Sequence, residues 1–152
     1  MFPRLVIDLE KLRHNGRKLC EKAAQNGLTD LAFVTKSFCA LPEMVAALEC
    51  LPNPYLADSR IENLANYPET HKQKILLRLP MLSQCEQVVR HADISFCSEG
   101  QTLTALNAAA KAQGKTHKVV LMVDMGDLRE GVFFRDVEGV LALARQAEQA
   151  EN

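Results

Sequence analysis

The sequence predicts an α/β fold built on a parallel β-sheet, and three observations lead to this prediction. Short apolar segments alternate with helical patterns along the chain, spaced by roughly 20 to 25 residues. These segments are apolar on both faces, which is typical of strands in a parallel sheet covered by helices. Capping signals mark where the intervening helices begin and end. Repeated βα units of this kind form either a doubly wound open sheet or a (β/α)8 barrel.

Five segments are predicted to be strands, and one more is a possible strand. The five are LAFVT (31–35), PYLA (54–57), KILLRL (74–79), DISFC (93–97) and KVVLMV (118–123), and the possible sixth is RLVID (4–8). Five or six strands suffice for an open sheet but are too few to close an eight-stranded barrel. The sheet is therefore expected to be open, or the chain is part of a longer protein.

Helices are expected between these strands. The first should end at the C-terminal signal Asn26-Gly27, and Pro42 suits the first turn of the second. The apolar stripe of the first helix consists of Leu9, Leu12, Gly16, Leu19 and Ala23. Three pairs fit a capping box, in which a serine hydroxyl and a glutamate or glutamine satisfy free backbone N–H groups. They are Ser59 with Glu62, Ser83 with Glu86, and Ser98 with Gln101.

The last two helices have their own boundary signals. Gly114 should end the helix that begins near Ser98, and a final helix should run from about Asp136 to the end of the chain. Its inner face is expected to consist of Val137, Val140, Leu141 and Ala144.

Composition narrows the class of protein. The chain has 152 residues, with 18 basic and 19 acidic side chains and a net charge of −1. This balance gives no electrostatic reason to expect nucleic-acid binding. No apolar segment approaches membrane-spanning length, and the first residues lack the pattern of a signal peptide. We therefore expect a cytoplasmic protein of one domain.

The cysteines and histidines show no metal-ligand spacing, so no metal site is predicted. Five scattered cysteines without a CxxC pair are expected to be reduced and mostly buried: Cys20, Cys39, Cys50, Cys85 and Cys97. The four histidines are expected on the surface: His14, His71, His91 and His117.

Polar residues follow the predicted strands, at the end where parallel α/β proteins bind ligands. They are Lys36, Asp58, Ser59, Arg78, Ser98, Glu99, Asp124 and Arg129. Most have a structural explanation. Asp58, Ser59 and Ser98 suit helix starts, and Glu99 suits a first helical turn. Asp124 suits a turn containing Gly126. Arg78 either points into a barrel to pair with a carboxylate or extends its charge to solvent.

Lys36 is the residue of this set whose side chain is best suited to a chemical reaction. A lysine at the end of a buried strand loses hydration, which favours the neutral amine and makes it a nucleophile. Such an amine forms a Schiff base with an aldehyde. The alternative is a lysine whose charged end simply reaches water. No GxxxxGK[ST] or GxGxxG segment is present, so a nucleotide site is not indicated.

Four segments together resemble the amino-terminal half of the alanine racemase-like enzymes that use pyridoxal 5′-phosphate. They are PRLVIDLEKLRHNGRKL, FVTKSFCA, YLADSRIENL and VDMGDLREG, in the family's order, and the ornithine/alanine racemase branch is the most similar. The resemblance implies a (β/α)8 barrel that binds pyridoxal phosphate, followed by a β-rich domain. Residues 1–152 would form the amino-terminal part of that barrel, about five βα units. The rest of the barrel and the β-rich domain would be absent.

The resemblance also assigns roles to two residues. Lys36 occupies the place of the family's cofactor lysine, which forms the Schiff base and acts as one of two acid–base groups. Arg129 occupies the place of the arginine that hydrogen-bonds the cofactor's phenolic oxygen, with Asp124, Gly126 and Gly131 in register. The implied activity is racemisation of an amino acid of the ornithine or alanine class, by a homodimer when the protein is full length.

Two departures from the family leave the substrate open. Ala40 stands where many bacterial alanine racemases have a phosphate-contacting tyrosine, and Met122 stands where some have a modified lysine. In the family, the second catalytic residue and the main phosphate-binding loops lie beyond the part that these 152 residues resemble. The 152 residues alone are therefore expected to racemise an amino acid weakly or not at all. A single-domain carrier of pyridoxal phosphate and a decarboxylase of the same superfamily are the alternatives.

Overall fold

A five-stranded parallel sheet forms the centre of the computed structural model, which describes residues 2–152. The strands are β1 (Ala32–Val34), β2 (Tyr55–Asp58), β3 (Gln73–Leu76), β4 (Ile94–Cys97) and β5 (Lys118–Leu121). They lie in sequence order, each hydrogen-bonded to the next. The predicted α/β class and the partial barrel of about five βα units are thereby confirmed.

Six helices accompany the sheet. They are α1 (Leu9–Gln25), α2 (Pro42–Leu48), α3 (Ile61–Ala65), α4 (Cys85–His91), α5 (Gly100–Gln113) and α6 (Val137–Glu148). Short 3-10 helices span Lys36–Phe38 and Leu82–Gln84. A small second sheet pairs β6 (Val123–Asp124) in parallel with β7 (Val132–Phe133). Among residues 2–152, no helix combines the length and the apolar character that crossing a membrane requires.

The segment RLVID is not a strand, so that prediction is wrong. The Asp8 side chain instead accepts hydrogen bonds from the backbone N–H groups of Glu10 (3.0 Å) and Lys11 (3.1 Å) and thereby caps α1. Leu5 and Val6 are exposed and have no partner strand. The apolar pattern of these residues therefore does not indicate burial in this chain.

Several predicted helix boundaries are confirmed. Pro42 is the first residue of α2, and Asn26 caps the C-terminal end of α1. Gly114 ends α5 with a left-handed backbone (φ +60°), and Asp136 caps α6 by accepting a hydrogen bond from Gly139. These boundaries depend on short-range backbone geometry, and for that reason they can be predicted from the sequence.

The three predicted capping boxes do not form. Helix α3 begins after Arg60, and α5 begins after Glu99, so Ser59 and Ser98 lie one residue too early to cap. Ser83 lies inside the 3-10 helix Leu82–Gln84 that precedes α4. The hydroxyl of Ser98 is buried and has no hydrogen-bond partner among the described residues.

The buried faces of two helices differ in part from those predicted. In α1, Gly16 and Cys20 are buried while Leu19 is exposed. In α6, Leu143 is the buried residue, and Val137 and Leu141 are exposed. Of the predicted positions, Leu9, Leu12 and Ala23 on α1 and Val140 and Ala144 on α6 are half-buried, so each predicted face is partly confirmed. Gly16 contacts Leu51, and Ala147 packs beside Leu143.

The core lies between the sheet and the helices. Its centre includes Leu56 on β2, Val45 on α2 and Val88 on α4, each at most 1% exposed. The central strands β2 and β4 are mostly buried, as predicted, whereas β1 and β5 are more exposed. The difference arises because β1 and β5 form the two edges of the sheet and each has a strand neighbour on only one side.

All five cysteines are free, as expected, and three of them are buried: Cys20, Cys85 and Cys97. One histidine contradicts the prediction of surface positions. His117 is buried, and its Nε2 lies 2.8 Å from the hydroxyl of the buried Ser95 on β4. Burial is the largest influence on the His117 imidazole and lowers its pKa.

Candidate functional site

A cavity of about 750 Å³ lies at the carboxyl ends of the strands. Its walls come from every βα unit of the main sheet. Lys36 follows β1, Ser59 follows β2, Arg78 follows β3, Phe96 belongs to β4, and Arg129 lies in the segment after β5. A volume of this size suits a small-molecule ligand. The cavity therefore lies where parallel α/β sheets bind ligands.

Lys36 is the first residue of the 3-10 helix that follows β1, and its side chain lines the cavity. Within residues 2–152 the amine makes no hydrogen bond or ion pair. The sequence predicts a lysine that has lost hydration, but Lys36 is exposed. The reason is that β1 is an edge strand and the cavity is open beside it.

The backbone around Lys36 is held by a tight turn. The carbonyl of Thr35 accepts hydrogen bonds from the N–H groups of Phe38 (3.1 Å) and Ala40 (3.3 Å). Cys39 and Ala40 adopt left-handed backbone angles, with φ of +51° and +52°. Non-glycine residues adopt such angles at a cost in energy, so the surrounding contacts must stabilise this turn.

A buried polar network anchors the same turn from behind. The Thr35 hydroxyl lies 2.6 Å from Oδ2 of Asp58 and 2.7 Å from the hydroxyl of Tyr67, and both Thr35 and Asp58 are fully buried. Thr35 has one hydroxyl proton, which it donates to the Asp58 carboxylate. Tyr67 must then donate its own proton to the Thr35 oxygen. Burial raises the pKa of Tyr67 to about 12, so the phenol keeps this proton at neutral pH.

Asp58 completes its hydrogen bonding through its second oxygen. Oδ1 accepts from the backbone N–H of Arg60 and from the side-chain amide of Asn63, each at 3.0 Å. Asp58 thus supports the start of α3, as its position after β2 suggested, although Ser59 does not. Ser59 lines the cavity instead. Sequence reasoning did not identify Thr35, Tyr67 or Asn63, because their pairing depends on which strands are neighbours.

Arg78 lies two residues after the end of β3, and its side chain lines the cavity. Among the described residues it forms no ion pair with a carboxylate. Arg78 is exposed, so its charge reaches solvent at the cavity, as the second of the two sequence interpretations expects, and the carboxylate pairing of the first is not found among residues 2–152.

The segment after β5 positions Arg129. The buried Asp124 accepts hydrogen bonds from the N–H groups of Gly126 (2.7 Å) and Leu128 (3.2 Å), and the bond from Gly126 is the main reason that the pKa of Asp124 is lowered. Gly126 has φ of +118°, as the predicted turn requires. The Arg129 guanidinium lies in the cavity wall, 3.9 Å from the carboxylate of Glu130.

The cavity therefore brings together four of the residues that sequence analysis placed at strand ends. These are Lys36, Ser59, Arg78 and Arg129. Asp58 and Asp124 support the cavity from behind through hydrogen bonds to the backbone, so their contribution is structural.

Comparison with known proteins identifies the family. The alanine racemase N-terminal domain family matches residues 7–152, which is almost the whole chain. The chain belongs to this family. It is 48% identical over 136 residues to ornithine racemase of Acetoanaerobium sticklandii, covering 88% of this chain and 37% of that protein. It is 31% identical over 149 residues to lysine racemase of Thermotoga maritima, covering 97% of this chain and 42% of that protein.

A solved structure supports the family's fold. Alanine racemase of Clostridium difficile 630 superposes with a TM-score of 0.71 at 19% identity, covering 91% of this chain and 37% of that chain. The chain thus spans less than half the length of each of these three racemases. The resemblance noted from the four sequence segments is confirmed.

Proposed function

We propose that this chain is the amino-terminal part of a cytoplasmic amino-acid racemase that depends on pyridoxal phosphate and acts on substrates of the ornithine or alanine class. The observation that carries the proposal is that Lys36 and Arg129 line the same cavity. Both are residues that the family resemblance assigned to the cofactor, and they lie far apart in sequence. Racemases among the relatives support the reaction class.

The chemistry of these side chains fits pyridoxal phosphate. Lys36 offers an amine without a partner among residues 2–152, suited to holding an aldehyde. Arg129 offers a guanidinium that is only loosely paired with Glu130 and suits an anionic phenolic oxygen. When bound, pyridoxal phosphate supplies an electron-withdrawing ring that makes the proton on the α-carbon of an amino acid removable.

The residues of this chain then have distinct tasks. The Lys36 amine would hold the cofactor, and Nζ of Lys36 would also be the group that removes or returns the α-proton on one face of the substrate. Arg129 would hold the phenolic oxygen of the cofactor. Thr35 and Asp58 hold the backbone of Lys36 so that Nζ remains on that face. Racemisation needs a second acid–base group on the opposite face, which we assign to residues beyond this chain.

We infer that residues 1–152 form the first part of the barrel domain and that the remaining strands and a β-rich domain belong to the longer protein, which acts as a homodimer. The relatives, of which this chain spans 37% and 42%, support this organisation. The 152-residue chain alone is then weakly active or inactive. An ornithine racemase and a lysine racemase among the relatives favour a substrate with a second amino group, and the cavity lining includes Asp127 and Glu130.

The test is covalent labelling followed by an activity assay. The chain is mixed with pyridoxal phosphate, reduced with borohydride and digested, and the added mass is located. We expect the label on Lys36 and its loss in Lys36→Ala, whereas Lys118→Ala, which removes an exposed lysine at the start of β5, keeps it. Label spread over surface lysines in both variants would contradict the cofactor site.

Racemisation of ornithine and alanine is then measured with the longest natural form of the protein. Inversion of either amino acid that is absent in Lys36→Ala supports the racemase. Label on Lys36 without inversion, in that longest form, supports a pyridoxal phosphate carrier instead.

A further inference from the structure

We propose that the Asp127 carboxylate binds the terminal ammonium of a diamino acid and thereby selects the substrate of this site. This inference rests on the proposed function and deepens it, because a substrate with a second amino group needs a residue that recognises that group. Asp127 lines the cavity that contains Lys36 and Arg129. It lies in the segment between β6 and β7, two residues before Arg129.

The carboxylate of Asp127 has no cationic partner in the fold. Within residues 2–152 it forms no ion pair with a lysine, arginine or histidine. Other aspartates of the chain do support the fold: Asp8 caps α1, Asp136 caps α6, and Asp58 holds the ends of β1 and β2 together. Asp127 therefore contributes a negative charge to the cavity that no cation of the described residues neutralises.

Asp127 also interacts with the buried carboxyl of Asp124. The hydrogen bond from the N–H of Gly126 is the main reason that the pKa of Asp124 is lowered, and the side chain of Asp127 contributes as well. Two carboxylates that lie side by side repel each other when both are ionised, and a cation beside them offsets this repulsion. An ammonium group is such a cation, and it has three N–H donors for carboxylate oxygens.

Glu130 is the other carboxylate of the cavity wall, and it is less suited to this role. Its Oε1 lies 3.9 Å from the guanidinium of Arg129, so part of its charge is already offset. The remaining cations of the wall, Lys36 and Arg78, have no ion pair with Asp127. Asp127 is consequently the carboxylate that is available to a cationic ligand.

The position of Asp127 relative to the two cofactor residues fits a substrate side chain. In the proposed function Lys36 holds the aldehyde carbon of pyridoxal phosphate and Arg129 holds its phenolic oxygen, and these two groups are attached to neighbouring carbons of the ring. An amino acid reacts at the same aldehyde carbon, so its side chain extends from this part of the cavity. Asp127 lies on the same segment as Arg129 and lines the same cavity. A carboxylate on this segment therefore suits a side chain that ends in an ammonium group.

The experiment removes the terminal amine from the ligand and the carboxylate from the protein. The ligands are ornithine and norvaline, which has the same carbon chain, α-amino group and α-carboxylate but no terminal amine. Each ligand is supplied as the racemate, so that turnover causes no net change during the titration. Dissociation constants are measured by calorimetry with the longest natural form of the protein loaded with pyridoxal phosphate.

Four proteins are compared in this experiment. They are the unaltered form, Asp127→Asn, Asp127→Glu and, as the control, Asp30→Asn. Asp30 is an exposed aspartate that precedes β1 and lies outside the cavity lining.

We expect Asp127→Asn to weaken ornithine binding by about tenfold, the effect of one charge-assisted hydrogen bond. Binding of norvaline should be unchanged, so the preference for ornithine is lost. Asp127→Glu should keep part of the preference, because it retains the charge on a longer side chain. Asp30→Asn should behave like the unaltered protein.

Three results would overturn the inference. Equal losses for both ligands would mean that Asp127 supports the turn that positions Arg129. No loss for either ligand would mean that the terminal amine is bound elsewhere. An unaltered protein that binds norvaline as tightly as ornithine would mean that the site does not select a second amino group.

Borohydride labelling of Lys36 in the unaltered protein separates these failures from that of the proposed function. Label on Lys36 together with any of the three results overturns the role of Asp127 and leaves the cofactor site standing. Absence of that label overturns both.

Discussion

The hydroxyl of Thr35 donates a hydrogen bond to the Asp58 carboxylate at 2.6 Å, and this bond ties the end of β1 to the end of β2. Both side chains are fully buried. Thr35 directly precedes Lys36, so the bond also fixes the point from which the lysine leaves the sheet. A buried polar network that is fully satisfied rigidifies its surroundings, whereas a partly satisfied one is costly.

Removing the Thr35 hydroxyl should therefore destabilise the chain. Thr35→Val keeps the shape of the side chain but leaves Oδ2 of Asp58 and the phenol of Tyr67 without this partner. We expect the free energy of unfolding to fall by about 2 kcal/mol, the cost of unpaired buried polar groups. Thr35→Ser retains the hydroxyl and loses only a methyl group, which costs less than about 1 kcal/mol. Urea denaturation of the two variants measures the difference, and equal losses would argue against the network.

Tyr67 offers a test of the same network at alkaline pH. Burial raises its pKa from 10 to about 12, so the unfolded chain loses the phenolic proton before the folded chain does. Stability from this group is fully present below pH 10 and falls as the pH rises towards 12. Tyr67→Phe should remove this part of the decline. Tyr55→Phe, at the start of β2, is the matched control and should leave the decline in place.

Much of the fold was predictable because it depends on local signals. Each of the five strands of the main sheet was anticipated, as were the ends of α1 and α5 at Asn26 and Gly114. The prediction of a strand at RLVID is wrong because an apolar segment forms a strand only where a neighbouring strand pairs with it, and none of the described strands does. The prediction of serine caps is wrong because packing decides a shift of one residue in the start of a helix, and the local sequence pattern does not encode it.

The residues of the candidate site could be predicted where they lie just after the end of a strand. Lys36, Arg78 and Arg129 were found in this way, and they do line one cavity. Tyr67 was not found, since it lies in the connection after α3 and reaches Thr35 only because β1 and β2 are paired. His117 was not found either, because it directly precedes β5 and contacts Ser95 of β4 only when those two strands are paired.

The buried His117 predicts a dependence of stability on acid. Burial lowers its pKa below the ordinary value of 6.5, so the unfolded chain binds a proton there before the folded chain does. The contribution is fully present above pH 6.5 and is lost as the pH falls through the lower folded value. His117→Gln should flatten the stability profile in this window. His14→Gln on the exposed surface of α1 is the comparison, and a similar flattening there would refute the assignment.

Comparing alanine substitutions at Gly131 and Gly126 distinguishes the cost of backbone strain from the cost of a steric clash. Both have left-handed φ angles, +113° and +118°. A Cβ at Gly131 would lie 2.6 Å from the backbone nitrogen of Asp124, whereas a Cβ at Gly126 would meet nothing within 4 Å. Alanine at either position should be strained, and Gly131→Ala should cost about 1 kcal/mol or more beyond Gly126→Ala. Similar midpoints in urea for the two variants would contradict this.

The order of the strands has a consequence for synthesis of the protein. Every hydrogen-bonded pair of the main sheet joins strands that are consecutive in the sequence. Such short separations favour folding one unit at a time as the chain emerges from the ribosome. Lys36 follows the first strand and Arg129 follows the fifth. The nascent chain therefore places Lys36 early and Arg129 only after the last of these strands has joined the sheet, so the two contacts of the proposed cofactor site come together late in translation or after it.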